Sequence, residues 1–159
     1  MRQFAPAIAL TLMLMPTLAR ADWEYAHWGM TPDQVAAASG GTVKVLPPAL
    51  RKKHVEFNSE TAADGTYAEG ALRLNLSFSF DLKNGGLTCV IFASPDPSQN
   101  ELFKRSFVSR HGPPQEAGGF KDAGMATFTW YKPDEIGLTL MTSGPSFASQ
   151  CKPGTIPPL

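Results

Sequence analysis

The sequence is short of cysteine, of excess charge and of long apolar runs, and each shortage excludes something. Two cysteines among 159 residues cannot furnish a four-cysteine zinc site or the framework of a disulfide-rich miniprotein. The 14 Lys+Arg and 14 Asp+Glu cancel to zero, so the basic excess of a dedicated nucleic-acid binder is missing. The longest uncharged run, Phe4 to Leu18, contains two prolines and falls short of the ~20 residues that span a bilayer. No second such run follows, and no membrane span is expected. Catalytic signatures are missing too: there is no G-x-S-x-G, H-E-x-x-H, P-loop or G-x-G-x-x-G. His27, His54 and His111 stand in unrelated segments, none with a second His or Cys at ligand spacing. No catalytic residue, metal or cofactor is assigned.

What is present begins with the first 21 residues. One positive charge at Arg2, the apolar run, and then Ala19-Arg20-Ala21 before Asp22 make the charged, apolar, A-x-A layout of a secretory signal peptide. Cleavage after Ala21 leaves residues 22–159 as one globular domain, periplasmic or secreted. It removes Arg2 and Arg20 and no acid, so the balance becomes 12 − 14 = −2. No cysteine adjoins the cleavage point, so no lipid anchor is expected. In an oxidising compartment Cys89 and Cys151 are expected to pair. The loop between them gives roughly 4 kcal/mol by chain entropy, less any strain.

Along the remaining chain, Thr31-Pro32-Asp33-Gln34 opens a short helix with a capping box and proline at its first position. Gly40-Gly41 ends it. Val43–Leu46 reads as a short strand. From Pro47 to about Gly65 the pattern is irregular, with at most a strand near Val55–Phe57. Leu72, Leu74, Leu76, Phe78, Phe80 and Leu82 alternate with polar residues, the signature of a half-buried strand. Asn84-Gly85 as a two-residue turn sets Leu82 opposite Leu87 and Phe80 opposite Cys89, with Cys89 on the core side. A second helix starts at Ser98 with an S-x-x-E box and stops at His111-Gly112-Pro113. A Gly-rich loop leads to a second hairpin, Met125–Tyr131 and Ile136–Thr142, with Tyr131 opposite Ile136 and Trp130 opposite Gly137. The three-proline tail from Cys151 is expected to be extended. The expected fold is α+β: a single antiparallel sheet of four to six strands with two short helices on one face.

Two features carry binding chemistry. Trp23, Tyr25, His27 and Trp28 gather rings at the mature N-terminus, suited either to a contact surface or to an edge strand whose rings complete the core. Arg51, Lys52, Lys53 and His54 form a basic run that suits an anionic head group or acidic partner, or else a solvated loop. The leading functional expectation is a non-catalytic periplasmic binding or envelope-interaction module, with another envelope protein as partner. The alternative is a small periplasmic hydrolase or ligand-binding protein with a cleft beside the sheet.

Trp28-Gly29-Met30-Thr31-Pro32-Asp33-Gln34-Val35, followed by small residues and Gly40, resembles the G-M-T-x-x-Q-V helix start of small exported bacterial α+β proteins. These are the SmpA/OmlA (BamE) lipoproteins and the β-lactamase-inhibitor-protein-like domains. His111-Gly112-Pro113 is similar to their helix–Gly–Pro punctuation. The resemblance implies a helix-then-antiparallel-sheet plan and a protein-contacting role. It carries over no binding residue, and the lipidated cysteine of the SmpA/OmlA proteins has no counterpart here.

Overall fold

The structure, a computed structural model, describes residues 23–155; the expected leader and the last four residues lie outside the described range. The first helix, α1 (Pro32–Ala38), starts as its sequence dictates. Thr31 Oγ1 accepts from the Gln34 amide at 3.4 Å, and Gln34 Oε1 accepts from the Thr31 amide at 2.9 Å. Gly40, at φ +64°, turns the chain out of the helix. Five strands follow: β1 (Val43–Val45), β2 (Lys52–His54), β3 (Ser59–Glu69), β4 (Leu72–Asp81) and β5 (Leu87–Ser94). The second helix, α2 (Asn100–His111), leads to β6 (Glu116–Phe120), β7 (Met125–Trp130), β8 (Glu135–Met141) and β9 (Ser146–Cys151).

All nine strands join one antiparallel sheet in the order β1-β3-β4-β5-β9-β8-β7-β6, with β2 pairing β3 beside β1. The expected four to six strands are therefore too few. The missed strands are β2 and β3, in and just beyond the segment 47–65, β6 in the Gly-rich stretch before Met125, and β9 (Ser146–Cys151), for which no strand was expected. They escape pattern reading because none carries a regular apolar row: β9, though mostly buried, reads Ser-Phe-Ala-Ser-Gln-Cys. Along β3, the residues facing the core are small, Ala63 and Gly65, or amphipathic, Tyr67. At Gly65 a side chain would strike the Thr42 carbonyl at 2.6 Å, so close approach of β1 requires glycine. In β6 every residue is exposed. Val55–Phe57, expected as a strand, is a single 3-10 turn.

Each helix precedes one half of the sheet: α1 with β1 to β5, α2 with β6 to β9. The last strands of the two halves, β5 and β9, pair at the centre. One face carries the core. Leu72, Leu74, Leu76, Phe78 and Phe80 of β4, Val90 and Phe92 of β5, Trp130 of β7, and Ile136 and Leu138 of β8 meet Val35 of α1 and Phe103 and Phe107 of α2. Phe107 stands edge-on to Phe92 and Phe103 at centroid distances of 5.2 and 5.4 Å.

Both expected hairpin registers slip, the first by one residue along the strands and by two beside its turn, the second by one, for local polar reasons. In the first, Asp81 caps the turn: its Oδ1 accepts from the Lys83 and Asn84 amides at 2.8 and 2.9 Å. These two backbone donors hold its carboxyl below the usual carboxylate range. The turn widens, and a bulge between Ser79 and Phe80 sets Phe80 opposite Leu87 and Ser79 opposite Cys89. Cys89 thus faces away from the core side. In the second hairpin Trp130 pairs with Ile136 and Thr129 with Gly137. Asp134 turns inward from that loop to hydrogen bonds with Trp28 and Gln150, which lengthens it by a residue. The second helix is also capped differently: Asp96, not Ser98, accepts the free amide, at Ser98 N and 2.9 Å, through a 3-10 turn over Pro97–Gln99.

Candidate functional site

The two expected contact features separate once folded. Trp23 is 4% exposed, joined to Ala26 by an isolated bridge rather than set in an edge strand. Its indole stands edge-on to Tyr25, Tyr67 and Phe92 at 5.3 to 5.5 Å, so its surface is spent on the core. Tyr25 and Trp28 are half-buried against the same core. Trp28 Nε1 donates to Asp134 Oδ1 at 3.1 Å, and Gln150 Nε2 donates to Asp134 Oδ2 at 2.6 Å. That carboxylate is only 1% exposed, so the hydrogen bonds answer its burial. These rings pack the N-terminal segment onto the sheet.

The basic run divides by strand alternation. Arg51 turns back, its Nε donating to the Leu46 carbonyl at 2.9 Å and its Nη1 lying 3.5 Å from Glu60 Oε2. Lys53 pairs in register with Glu60 and points away from Lys52 and His54. Lys52 and His54 share the face opposite the core. There the segment 46–51 stands as a strap over a groove of about 450 Å³, bounded by Leu46, Leu50, Lys52, His54, Asp64 and Ile91. The nearest partner of the His54 ring is Thr61 Oγ1, 3.5 Å from Nε2. That distance lies outside the range of a proton-transfer contact. Among the described residues no three His, Cys, Asp or Glu side chains gather as a metal site.

The face opposite the core is the largest feature the sequence reading did not resolve. Residues directly opposite one another in an antiparallel pair share a face, so the registers trace rows across it. One row runs Lys44, Asp64, Ser77, Ile91 over the first half. It continues through Ser149, Gly137, Thr129 and Glu116 over the second. The next row runs from Lys52 through Thr61, Ser79, Cys89 and Cys151 to Glu135. Both rows begin on lysine and end on glutamate; between, the side chains are small or hydroxylic apart from Ile91 and the exposed Asp64 opposite Lys44, and Ser79, Cys89 and Cys151 are fully buried. Eight strands at about 4.8 Å make a face roughly 34 Å wide. Neither helix lies over it, since Val35, Phe103 and Phe107 all belong to the core on the other side. Its sequence signal was the polar half of the β4 alternation, Arg73, Asn75, Ser77 and Ser79, but the other strands show it only once their registers are known.

Cys89 and Cys151 are directly opposite across the central β5–β9 pair, their sulfurs 2.15 Å apart, at disulfide distance, and both are buried. On the helix side, Arg110 ties the last turn of α2 to its surroundings. It is paired with Glu24 at 2.9 Å and Glu69 at 3.3 Å, and it donates to the Tyr67 hydroxyl. Ser106 and Tyr67 donate to Glu69 Oε2 at 2.6 and 2.8 Å. Burial, and then the bond to Glu69, push the Tyr67 phenol up to about 12. This cluster anchors α2, with Arg110 Nη1 on Glu24 and Nη2 on Tyr67 and Glu69.

No protein-family model, curated protein or solved structure matches the chain. Nothing in those comparisons links it to the SmpA/OmlA or β-lactamase-inhibitor-protein-like groups.

Proposed function

We propose that the protein is an exported, non-catalytic interaction module of the bacterial envelope, and that its contact surface is the sheet face opposite the helices. The observation that carries this reading is that a wide sheet has both helices on one side, leaving the other to small, hydroxyl and charged side chains with a few apolar ones, Ile91, Phe147 and the 68% exposed Phe120, among them. An antiparallel sheet with one wet face needs no partner in order to fold, yet such a face is flat and rigid, as a contact surface should be. Export is supported by the A-x-A layout at Ala19–Ala21 and by two cysteines at disulfide distance. No helix among the described residues is long and apolar enough to cross a membrane.

The test is photo-crosslinking in intact cells from a reactive side chain at Ser77 or Thr129 on this face, against controls at Lys104 and Ser109 on α2. The reading expects specific adducts from the face positions, and binding of the identified species to the purified protein that a Ser77→Arg change weakens. Adducts confined to the α2 positions would reject the surface. Retention of the precursor mass in the cytoplasm would reject export.

A further inference from the structure

The strap 46–51 is longer than the fold requires. Val45 and Lys52 pair with Ala63 and Thr61, which occupy neighbouring rows of the sheet because β3 bulges at Ala62. A whole loop therefore crosses a gap of one row, and the excess stands over the face opposite the core. It is also preformed. Pro47 and Pro48 restrict its backbone, and the Leu50 and Arg51 amides donate to the Pro47 and Pro48 carbonyls at 2.9 and 3.3 Å. The Arg51 side chain ties the end of the strap to its start, through Nε and the Leu46 carbonyl at 2.9 Å. For all this bracing, Leu50 is left 62% exposed.

The bulge has a second effect. In a regular strand Thr61 and Asp64 would lie on opposite faces; the extra residue Ala62 puts both on the face opposite the core, Thr61 beside Ser79 and Asp64 beside Ser77. Asp64 thereby joins Lys52 and His54 around the groove beneath the strap, whose volume of about 450 Å³ falls within the ~300–1,000 Å³ of small-ligand sites. Leu46, Leu50 and Ile91 supply its apolar surface, and Thr61 and Ser77 its hydroxyls. Strand spacing sets the Lys52 and Asp64 Cα atoms roughly 8 Å apart. Among the described residues neither the Lys52 ammonium nor the Asp64 carboxylate makes a hydrogen bond or ion pair, whereas Arg51 and Glu60 close by face each other. Lys44, opposite Asp64 in register, lines the adjoining hollow and not this groove.

We propose that the groove binds an apolar dipeptide with both termini free, a role that goes beyond the contact face and does not depend on it. The peptide ammonium meets Asp64, its carboxylate meets Lys52 and His54, and its side chains lie against Leu46, Leu50 and Ile91. Two extended residues span about 7 Å, which suits two opposite charges at that separation. A single amino acid, at about 3.5 Å, is held well at one end only. An anionic amphiphile satisfies Lys52 but lays its apolar chain against Asp64, and the peptide avoids that desolvation.

Titration of the isotope-labelled mature protein with Leu-Leu, followed by amide chemical shifts, tests this. Shifts should concentrate at Leu46, Leu50, Thr61 and Ile91, with a dissociation constant below about 1 mM. Acetylating the peptide's amine, or amidating its carboxylate, should each weaken binding about tenfold, and free leucine should bind about fivefold more weakly. Asp64→Asn should weaken Leu-Leu binding about tenfold and abolish the effect of acetylation; Lys52→Met should weaken it about fivefold, since His54 remains, and reduce the effect of amidation. Both side chains are exposed, so neither change should move the thermal midpoint by more than about two degrees. Absence of shifts up to about 20 mM Leu-Leu overturns the proposal. So does acetylated, amidated Leu-Leu binding as tightly as the free peptide, or an acetylation effect that survives Asp64→Asn. Octanoate binding more tightly than Leu-Leu overturns it in favour of an anionic amphiphile. These readouts involve no protein partner, so the dipeptide can fail while adducts at Thr129 stand, and the adducts can fail while the dipeptide binds.

Discussion

Trp130 is fully buried; its Nε1 donates to the Gly112 carbonyl at 3.0 Å, and its ring lies 6.3 Å from Phe107 and 6.4 Å from His111. One side chain thus joins β7, α2 and the chain reversal after α2. Trp130→Ala should cost about 3–5 kcal/mol in urea unfolding. Trp130→Phe keeps most of the apolar area but leaves the carbonyl without its donor, for about 1–3 kcal/mol; equal losses would show that the hydrogen bond adds nothing. His111, beside it, is held below its ordinary value by burial first and by the neighbouring Arg110 second. The folded protein resists that proton more than the unfolded chain does, so stability is full above about pH 6.5 and declines as pH falls below it. Glu69 acts in the same direction at lower pH. The Ser106 hydroxyl first, and then Tyr67, hold its carboxyl below the ordinary value of 4.5, so its contribution is present above that pH and lost as pH falls through the folded value. Thermal midpoints should drop in two stages between pH 7 and 3, with His111→Gln removing the upper stage and Glu69→Gln the lower. A midpoint flat from pH 7 to 5.5 would remove the histidine from this account.

Among the elements, legibility followed the regularity of the apolar row rather than burial alone, since β9 is mostly buried yet reads Ser-Phe-Ala-Ser-Gln-Cys. The β4 strand was plain because one of its faces is wholly apolar, and α1 was plain because capping is local chemistry confined to Thr31 and Gln34. The β3 strand was hidden: its core face uses Ala63 and Gly65 because β1 lies too close for anything larger. The β6 strand was hidden because it is an exposed edge whose structure comes from pairing with β7 rather than from its own side chains. Registers failed where a carboxylate, Asp81 or Asp134, set the turn length, since its hydrogen-bond partners are known only after folding. The candidate face fared worse than the fold. Lysines and glycines that carry no local pattern, such as Lys44 and Gly137, join one row only through five successive strand pairings. Gly119 offers a check on β6: at φ +133°, its Cβ would fall 2.2 Å from the Met125 carbonyl oxygen. Gly119→Ala should cost about 1–3 kcal/mol locally. Hydrogen exchange should show protection lost over 116–120 and retained in β4 and β5; uniform loss across the sheet would mean β6 is not the separable edge described.

For the molecule as a whole, the decisive arrangement is the meeting of two helix-and-strand halves along β5 and β9, with Cys89 and Cys151 facing each other across the seam at a sequence separation of 62. Replacing both by alanine should remove about 4 kcal/mol or somewhat less, mainly by freeing the unfolded chain. Unfolding in urea with and without reductant would measure it, and an unchanged midpoint would show no covalent tie. That tie also changes what the peptide backbone is needed for. The connection between the halves, Pro95 to Gln99, lies inside the closed loop and holds the chain's only Asp–Pro bond, Asp96–Pro97. Such bonds hydrolyse selectively in warm dilute acid. A molecule cut there should migrate as one species without reductant and as two with it. If the cut pieces refold at neutral pH, the halves are two cooperating bodies that sulfur alone can keep together.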